Sequence, residues 1–507
     1  MSKPAKPFRL YNTLLRSTEP LVTQEPNHLT LYSCGPTVYS YAHIGNFRSF
    51  LTSDLIVRTA QAIGWKTTYV SNVTDVGHLT EDDVADSSGE DKMARALHSK
   101  GGQQFANVWD LARHYTEVLI NDWNQLNLLA PQVRPRATQH MREQIQAIEQ
   151  LVESGHAYEA PNAVYFSVDS FPNYGKLSGN TSGDELETAV RNVVVDDGKR
   201  DPRDFALWKK DEKHLMQWHS PWGWGFPGWH LECSVMAQQY LGDTLDLHAG
   251  GEDLIFPHHE CEIAQAESLT GKPFARHWVH TRFLQVEGEK MAKSAGNFFT
   301  VRDLVAPEDE GGRGVPPMAL RYALISGHYR KPYNFTFQTL RACAGHVNRY
   351  TEAEARVNKA LTAASEAGDD HLGPVLEPIY ERVLDAMLED LNTPSALAAA
   401  LEGVKAIQAA DDLNVASARS ARMWLDRIEK LLGIKGNEPT RTETAEPDAF
   451  AQRVEAMIRS RNEARAAKDW TFADAVRDEL TALGVELKDG ADGTMWRRTD
   501  DLAGTWR

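Results

Sequence analysis

The feature that most constrains the fold is a strand, a turn, a helix and a second strand near the start of the chain. Leu29 to Cys34 alternates apolar and polar side chains and predicts a strand, after which Gly35-Pro36 turns the chain. Apolar side chains then recur at helical spacing from His43 to about Ala62, and Gly64 ends that helix. Lys66 to Val73 predicts the next strand. This unit predicts a parallel sheet with a ligand at the carboxyl ends of its strands.

The turn continues into Pro36-Thr-Val-Tyr-Ser-Tyr-Ala-His43-Ile-Gly-Asn46, which places a histidine and a glycine at the predicted helix start. The first N–H groups of a helix lack partners and carry partial positive charge, which suits a phosphate. Gly45 allows a nucleotide to approach the backbone closely, and His43 can donate to a phosphate oxygen. The alternative interpretation is that His43 only caps its helix.

A second segment, Glu289-Lys-Met-Ala-Lys-Ser294, lies far downstream and combines two lysines with small side chains. Loops of this composition move, and Lys290 and Lys293 can act as point charges on phosphate. The alternative is an ordinary solvated basic loop. Together the two segments indicate one nucleotide-handling site built from distant parts of the chain.

Several cysteine, histidine and glutamate residues have the chemistry of metal ligands. The candidate ligands are Cys34, Cys233, His258 and Glu262. Pro257 favours a helix start, and residues four apart then share one face. Two thiolates, an imidazole and a carboxylate suit zinc. The rival ligands are Cys261, His259 and His248. With no Cys-x-x-Cys in the chain, a site assembled from distant segments suits an active site better than a structural zinc knuckle.

Composition excludes several classes of protein. Four cysteines in 507 residues exclude a disulfide-built fold and indicate a reducing environment. No apolar run reaches the roughly 18 residues of a membrane span, and the N-terminus has no apolar signal-peptide core. The formal net charge of −17 excludes binding of polyanions through bulk charge, so a nucleic-acid partner needs a local basic surface. We expect a cytoplasmic protein with no membrane partner.

The two nucleotide-handling segments resemble the "HIGH" and "KMSKS" motifs of class I aminoacyl-tRNA synthetases. The resemblance implies that they embrace ATP, with Mg²⁺, and stabilise the charge that develops when an amino-acid carboxylate attacks the α-phosphate. The residues it implicates in ATP binding or catalysis are Pro36, Thr37, His43, Gly45, Asn46, Lys290 and Lys293. The chain departs from the motifs at Asn46, in place of histidine, and at Ala292, in place of serine. Asn46 can still donate a hydrogen bond, and Ala292 leaves both lysines in place.

Three segments, Tyr32–Tyr39, Gly228–Cys233 and Phe256–Glu262, closely resemble the cysteinyl-tRNA synthetase family. The resemblance implies one zinc ion, joined by the thiolate of the substrate cysteine, on the residues Cys34, Cys233, His258 and Glu262. A soft thiolate on zinc separates cysteine from serine better than an apolar pocket, which discriminates such pairs by only ~10–200-fold. We therefore expect no editing activity in the 130–230 region.

Further positions follow from the same resemblance. Trp229 and Thr74 are expected beside the substrate cysteine, although a core indole is the alternative for Trp229. The chain carries Gly77-His78 where the family often has two aspartates, and the role of His78 stays open. The acidic stretch 81–92 is predicted to be a mobile surface loop. Anticodon bases are read by stacking and by hydrogen bonds, and the candidate residues for this are Arg465, Trp470, Asp474 and Asp489. The alternative for that region is a solvated helix.

The predicted fold class is α/β: a Rossmann-like parallel-sheet catalytic domain with an insertion, then a helical bundle and a small C-terminal α+β anticodon-binding domain. The predicted divisions are 1–130 and 231–317 for the halves of the catalytic domain, 131–230 for the insertion, 318–432 for the bundle, 433–449 for a linker and 450–507 for the C-terminal domain.

The leading hypothesis is a monomeric enzyme that activates L-cysteine with ATP and transfers it to tRNA(Cys). One rival uses the same core to join cysteine to an amino sugar, but that relative lacks an anticodon-reading end, so residues 450–498 argue against it. Another rival is a catalytically silent tRNA- or zinc-binding protein, against which His43, Lys290 and Lys293 argue.

Overall fold

The structure, a computed structural model, describes the residues 6–77, 91–180, 198–292, 295–362, 368–411, 413–435, 449–466, 469–490 and 493–498. The chain divides into two units, Met1–Gly436 and Asn437–Arg507, which are described separately below.

A parallel four-stranded sheet lies at the centre of the first unit. In spatial order its strands are Ala275–Thr281, Leu245–Gly251, His28–Ser33 and Lys66–Ser71. The helix Ile44–Ala62 connects the last two of these strands, and Gly64, with φ of +85°, follows its end. The predicted strand–helix–strand unit is therefore confirmed. Two further helices, Trp229–Leu241 and Glu260–Thr270, flank the strand Leu245–Gly251 in sequence.

The predicted insertion contains an antiparallel sheet. Its strands, in spatial order, are Ala157–Glu159, Ala163–Phe166, Phe205–Lys210, Gly223–Pro227 and Trp218–Ser220. Three helices precede this sheet in sequence: Lys92–His98, Val108–Gln125 and Met141–Glu153. After the strand Gly223–Pro227 the chain passes Gly228, where a Cβ would lie 1.9 Å from the carbonyl oxygen of Ala206. This close approach leads the chain directly into the helix that carries Trp229 and Cys233.

Short strands hold the second nucleotide-handling segment against the rest of the unit. Leu284–Val286 pairs antiparallel with Glu289–Lys290 and parallel with Tyr333–Phe335. Another antiparallel pair, Arg9–Asn12 with Ser17–Pro20, lies near the N-terminus. Lys290 is therefore placed by a small sheet, at the start of the loop that follows.

Helices dominate the rest of the first unit, as predicted. They are Val301–Val305, Pro317–Ile325, Phe337–Thr362, Gly373–Leu388, Thr393–Ala409 and Val415–Leu432. Asn392 caps the helix Thr393–Ala409 by accepting from the N–H of Ser395 at 3.3 Å, with Pro394 in the first turn. No helix in the described part of the chain is long and apolar enough to cross a membrane.

A buried charge cluster joins this helical region to the helix Ile44–Ala62. Asp54 accepts from Nε of Arg58 at 2.9 Å and from Nη2 of Arg321 at 2.6 Å, and its other oxygen accepts from the N–H of Leu129 at 2.7 Å. Arg321 also donates to the carbonyl oxygens of Leu126, Asn127 and Leu432. Burial opposes ionisation of Asp54, but Arg58 and Arg321 hold the pKa of its carboxyl below the usual range.

The prediction that residues 81–92 form a mobile surface loop is wrong for its last two residues. Residues 81–90 lie outside the described residues, but Asp91 and Lys92 are buried. Asp91 caps the helix Lys92–His98 and lies 3.0 Å from Nε2 of His214, while Nζ of Lys92 lies 5.7 Å from the ring centre of Trp229. These partners come from the distant insertion, so local acidic composition could not reveal them.

The second unit has two helices, Ala449–Ala466 and Trp470–Ala482, followed by an antiparallel hairpin of Val485–Gly490 with Gly493–Arg498. Its core consists of Val454, Ile458, Val476, Leu480, Val485 and Trp496. Two helices followed by a hairpin agree with the predicted α+β class of this C-terminal region.

Candidate functional site

The two nucleotide-handling segments lie against each other. A Cβ on Gly45 would lie 3.3 Å from Cε of Met291, so the glycine packs on the second segment. Just beyond that segment, Phe298 packs edge-on against the ring of His43 at 5.2 Å, and Phe299 accepts from the N–H of Ile44 at 3.0 Å. The two segments are therefore in contact within the described residues, and their role as one nucleotide-handling site stays a prediction.

His43 does cap its helix, and Asn46 completes the cap. Nδ1 of His43 accepts from the N–H of Asn46 at 3.1 Å, while Oδ1 of Asn46 accepts from the N–H of His43 at 3.0 Å. This reciprocal arrangement fixes the histidine ring at the helix N-terminus. Capping and phosphate binding are compatible because the cap uses only one of the two ring nitrogens. The departure at Asn46 thus has a structural role here.

The second segment is closed by a residue that the sequence did not single out. Asn297 donates to the carbonyl oxygen of Lys290 at 3.1 Å and accepts from the N–H of Ala292 at 2.8 Å. Lys290 itself is exposed. Lys293 lies outside the described residues. Asn297 therefore holds the backbone of Lys290 and that of Ala292 in a fixed arrangement.

Pro36, Thr37 and Thr74 lie together at the carboxyl ends of two neighbouring strands. The backbone of Thr74 pairs with that of Thr37 and donates to the carbonyl oxygen of Pro36 at 3.3 Å. Gly35 is required here because a Cβ would lie 1.7 Å from the carbonyl oxygen of Asn72. These residues therefore lie at the sheet edge where the sequence predicts a ligand, and the ligand site itself stays a prediction.

The four predicted metal ligands converge beside these strand ends. Sγ of Cys34 lies 3.7 Å from Sγ of Cys233 and 3.5 Å from Oε1 of Glu262, and the same carboxylate oxygen lies 2.8 Å from Nε2 of His258. All four residues are buried, and their ligand atoms lie within 4.8 Å of one another. The helix starts at Glu260 rather than at Pro257, yet His258 and Glu262 still face the same point.

A second group among the described residues shares two members with the first: Cys34, His248, His259 and Glu262. Nε2 of His259 lies 3.4 Å from Sγ of Cys34, and Nε2 of His248 lies 2.8 Å from Oε2 of Glu262. Two of the predicted rivals thus remain close to the site. Cys261 belongs to neither group and lies 3.4 Å from the hydroxyl of Tyr174.

Burial and neighbouring groups shift the pKa values of the four candidate ligands in different directions. The hydrogen bond from Cys34 lowers the pKa of the Cys233 thiol to about 6, while burial raises the pKa of Cys34 well above its usual value. Burial opposes charge on Glu262, but His248 and His258 hold the pKa of that carboxyl well below its usual range. Burial also opposes charge on His258, and Glu262 overcomes it to raise the pKa to about 10. The surroundings thus favour the anionic forms of Cys233 and Glu262, the neutral thiol of Cys34 and the protonated form of His258.

Two aromatic side chains brace His258. The ring of Trp229 stacks on it at 4.3 Å, and Nδ1 of His230 lies 3.1 Å from its Nδ1. Trp229 is half-buried, so the core indole named as an alternative does not describe it. His230 was missed because a histidine beside Trp229 carries no sequence signal of its own.

Glu232 is a second missed residue. Its side chain is fully buried, and its Oε2 accepts from the hydroxyl of Thr74 at 2.8 Å. Burial raises the pKa of this carboxyl well above its usual value. Thr74, predicted to lie beside the substrate, therefore contacts a buried acid next to Cys233.

The anticodon candidates lie in the second unit. Trp470 begins its helix and is 58% exposed, and Asp474 is exposed with Oδ1 3.3 Å from Nη1 of Arg477. Arg465 is half-buried near the end of the preceding helix. Asp489 pairs with Thr494 through the hairpin, and its side chain lies outside the described residues.

Family models match most of the chain. Residues 20–344 match the catalytic domain of class I (C) tRNA synthetases, residues 382–435 match the DALR domain, and residues 448–497 match the cysteinyl-tRNA ligase anticodon binding domain.

Curated relatives match along nearly the whole chain. The cysteine–tRNA ligase of Salinibacter ruber is 58% identical, over 98% of this chain and 100% of the relative. The cysteine–tRNA ligase of Chlorobaculum tepidum is 41% identical, over 97% and 99%. The Mycobacterium tuberculosis methionyl-tRNA synthetase in complex with methionyl-adenylate shares the fold, with a TM-score of 0.55, 14% identity, and coverage of 80% of this chain and 92% of that one. The chain belongs to the cysteine–tRNA ligase family of class I aminoacyl-tRNA synthetases.

Proposed function

We propose that this chain activates L-cysteine with ATP to cysteinyl-adenylate and transfers the cysteinyl group to tRNA(Cys). One observation carries the proposal: a buried set of two cysteines, a histidine and a glutamate lies at the sheet edge near the joined nucleotide-handling segments. The donor set suits recognition of a thiol, and the helix N-terminus at His43 suits a phosphate. Membership of the cysteine–tRNA ligase family supports the same reaction.

The four donors fit zinc. Sulfur, imidazole nitrogen and carboxylate oxygen are its usual protein ligands, and the buried donors are close enough to share one ion. We therefore assign zinc to Cys34, Cys233, His258 and Glu262. Bound zinc supplies a soft Lewis acid that prefers a thiolate over a neutral hydroxyl. On this basis no editing of misacylated product is required, and that absence stays a prediction.

In the activation step a carboxylate oxygen of cysteine attacks the α-phosphorus of ATP, the bond to the bridging oxygen breaks, and pyrophosphate leaves with the electron pair. His43 and the helix N-terminus at Gly45 stabilise charge on the phosphates, and Asn46 holds the histidine ring in place for this. Lys290 and Lys293 are assigned the same charge-stabilising role by resemblance. Pro36 and Thr37 border the nucleotide, with Mg²⁺ balancing its charge. The protein contributes position and electrostatics, without a nucleophile of its own.

We propose that the second unit reads the anticodon through Trp470, Arg465, Asp474 and Asp489. An exposed indole at a helix start can stack on an unpaired base. The match of residues 448–497 to an anticodon-binding domain favours tRNA over an amino sugar as the acceptor. The monomeric state and the domain boundaries given above stay predictions.

The test is cysteine-dependent exchange of pyrophosphate into ATP by zinc-loaded protein. Exchange with cysteine but not with serine, followed by charging of tRNA(Cys) and not of an amino sugar, is expected. Absence of exchange contradicts the enzyme assignment. Exchange that survives complete removal of zinc by a chelator, with cysteine affinity unchanged, contradicts the assigned role of the metal.

A further inference from the structure

Glu232 leaves a buried hydrogen-bonding group unsatisfied. Its Oε2 accepts from the hydroxyl of Thr74, but Oε1 is buried without a hydrogen-bond partner among the described residues. Within that part of the chain no arginine, lysine or histidine forms an ion pair with this carboxyl either. A buried carboxylate with a single donor is costly unless something supplies further donors or positive charge. Among the described residues Oε1 of Glu232 thus has no hydrogen-bond donor, and a ligand can supply one.

The position of this carboxyl is next to the proposed amino-acid pocket. Glu232 precedes Cys233 on the helix that also carries Trp229 one turn earlier, and Trp229 stacks on His258. On the opposite side, Thr74 accepts from Nδ2 of Asn72 at 3.2 Å and so is oriented to donate to Glu232. The unsatisfied carboxyl therefore belongs to a side chain held between the metal donors and the carboxyl ends of the parallel strands.

We propose that Glu232 accepts the α-ammonium group of the substrate cysteine, an inference that rests on the proposed function. In cysteine only two carbon atoms separate the sulfur from the nitrogen. A cysteine whose sulfur lies among the metal donors thus brings its ammonium group close to the residue beside Cys233. The ammonium has three N–H donors and a positive charge, which match the unsatisfied oxygen. Glu232 then distinguishes amino acids from thiols that lack an amine.

The experiment compares three thiols on zinc-loaded protein by calorimetry: L-cysteine, cysteamine, which lacks the carboxylate, and 3-mercaptopropionate, which lacks the ammonium. In the unaltered protein, cysteamine should bind at least about 10-fold more tightly than 3-mercaptopropionate. Glu232→Gln keeps the shape and the acceptor for Thr74 but replaces the carboxyl with an amide, which cannot become anionic when an ammonium group binds. It should weaken cysteine and cysteamine about 100-fold while changing 3-mercaptopropionate less than about twofold. Zinc content should be unchanged.

Glu260→Gln is the matched control. Glu260 is also fully buried, but it accepts from the N–H groups of Leu177 and Ser178 at 3.1 and 2.9 Å. The Glu260→Gln variant should leave the affinities for all three thiols unchanged. Equal weakening of all three thiols by Glu232→Gln, or no weakening, overturns the inference. Because binding is measured without ATP, these outcomes are distinct from failure of pyrophosphate exchange, which would overturn the proposed function.

Discussion

Two buried charge clusters in the first unit differ in the kind of partner that each carboxylate has. Around Asp54, both carboxylate oxygens accept hydrogen bonds, and Arg58 and Arg321 supply the compensating charge. Around Cys34 and Cys233, sulfur and carboxylate donors converge without an arginine or lysine in hydrogen-bond contact within the described residues. Both oxygens of Glu262 also have partners, but these are the imidazoles of His248 and His258. Arginine keeps its protons and its charge, whereas a neutral imidazole and a thiolate can bind a metal ion. The chemistry of the partners, rather than burial, separates the first cluster, which joins parts of the fold, from the second, which can hold a metal ion.

The largest effect on stability is expected from removing a cation from the cluster around Asp54. Arg321→Met leaves Asp54 with one buried cation fewer and should lower the free energy of unfolding by about 3–5 kcal/mol. Denaturant unfolding monitored by circular dichroism measures this. The exposed pair of Arg382 with Glu402 provides the control, since Arg382→Met should cost less than about 1 kcal/mol. Equal losses of unfolding free energy in the two variants would show that the buried cluster contributes no more to stability than an exposed ion pair.

Removing a ligand from the cluster around Cys34 and Cys233 should instead weaken metal binding. Cys233→Ser should lower zinc affinity by at least about 100-fold, more than the loss typical of outer partners of a ligand. Competition with a chelator measures this, and Cys261→Ser is the control because that thiol faces Tyr174. His258→Asn should act like Cys233→Ser, whereas His259→Asn should have the smaller effect. The reverse order would assign zinc to the group containing His248 and His259.

A third variant separates capping from catalysis at the helix N-terminus. Asparagine is a good N-cap, so His43→Asn should change the free energy of unfolding by less than about 0.5 kcal/mol. Loss of the imidazole should slow pyrophosphate exchange by about 100-fold if it stabilises phosphate charge. Unfolding and exchange rates measured on the same preparation decide between the two roles. An unchanged rate of pyrophosphate exchange would show that His43 serves only as the helix N-cap.

The smallest effect is expected in the second unit, where the candidate side chain is exposed. Trp470→Ala should raise the KM for tRNA(Cys) by about 10-fold, the loss of one stacked base, while cysteine-dependent exchange stays unchanged. Aminoacylation kinetics measure the first quantity. Phe472, 51% exposed two residues later, offers the control variant Phe472→Ala. An equal rise in the KM for tRNA(Cys) in both variants would indicate that exposed aromatic side chains in this helix contribute generally, and that Trp470 has no specific role.

Much of this arrangement follows from local sequence pattern. Periodicity predicted the helix Ile44–Ala62 and its flanking parallel strands, because apolar spacing and Gly64 report directly on local backbone geometry. The four zinc candidates were predicted as well, because Cys, His and Glu at these positions match a family pattern. The competition between His258 and His259 could not be resolved, since adjacent histidines differ only in where tertiary packing points them.

Other features depend on contacts between distant segments. The burial of Asp91 and Lys92 depends on His214 and Trp229, so an acidic stretch was taken for a surface loop. Glu232 looked like any helical glutamate, and only the packed structure shows its unsatisfied oxygen. The reciprocal cap of His43 and Asn46 could have been inferred from the capping-box spacing, which the resemblance to the motif overshadowed.

The metal donors are widely separated along the chain, and this has a consequence for synthesis. Cys34 and Glu262 are 228 residues apart, with the whole insertion between them. At ribosomal rates of about 5–20 residues per second, Cys34 waits roughly 10–50 seconds before its last partner has been made. A metal ion shared by Cys34 and Glu262 therefore cannot guide the early folding of the nascent chain. During this interval the Cys34 thiol lacks its later partners, and a mismatched ion or an oxidant can reach it first.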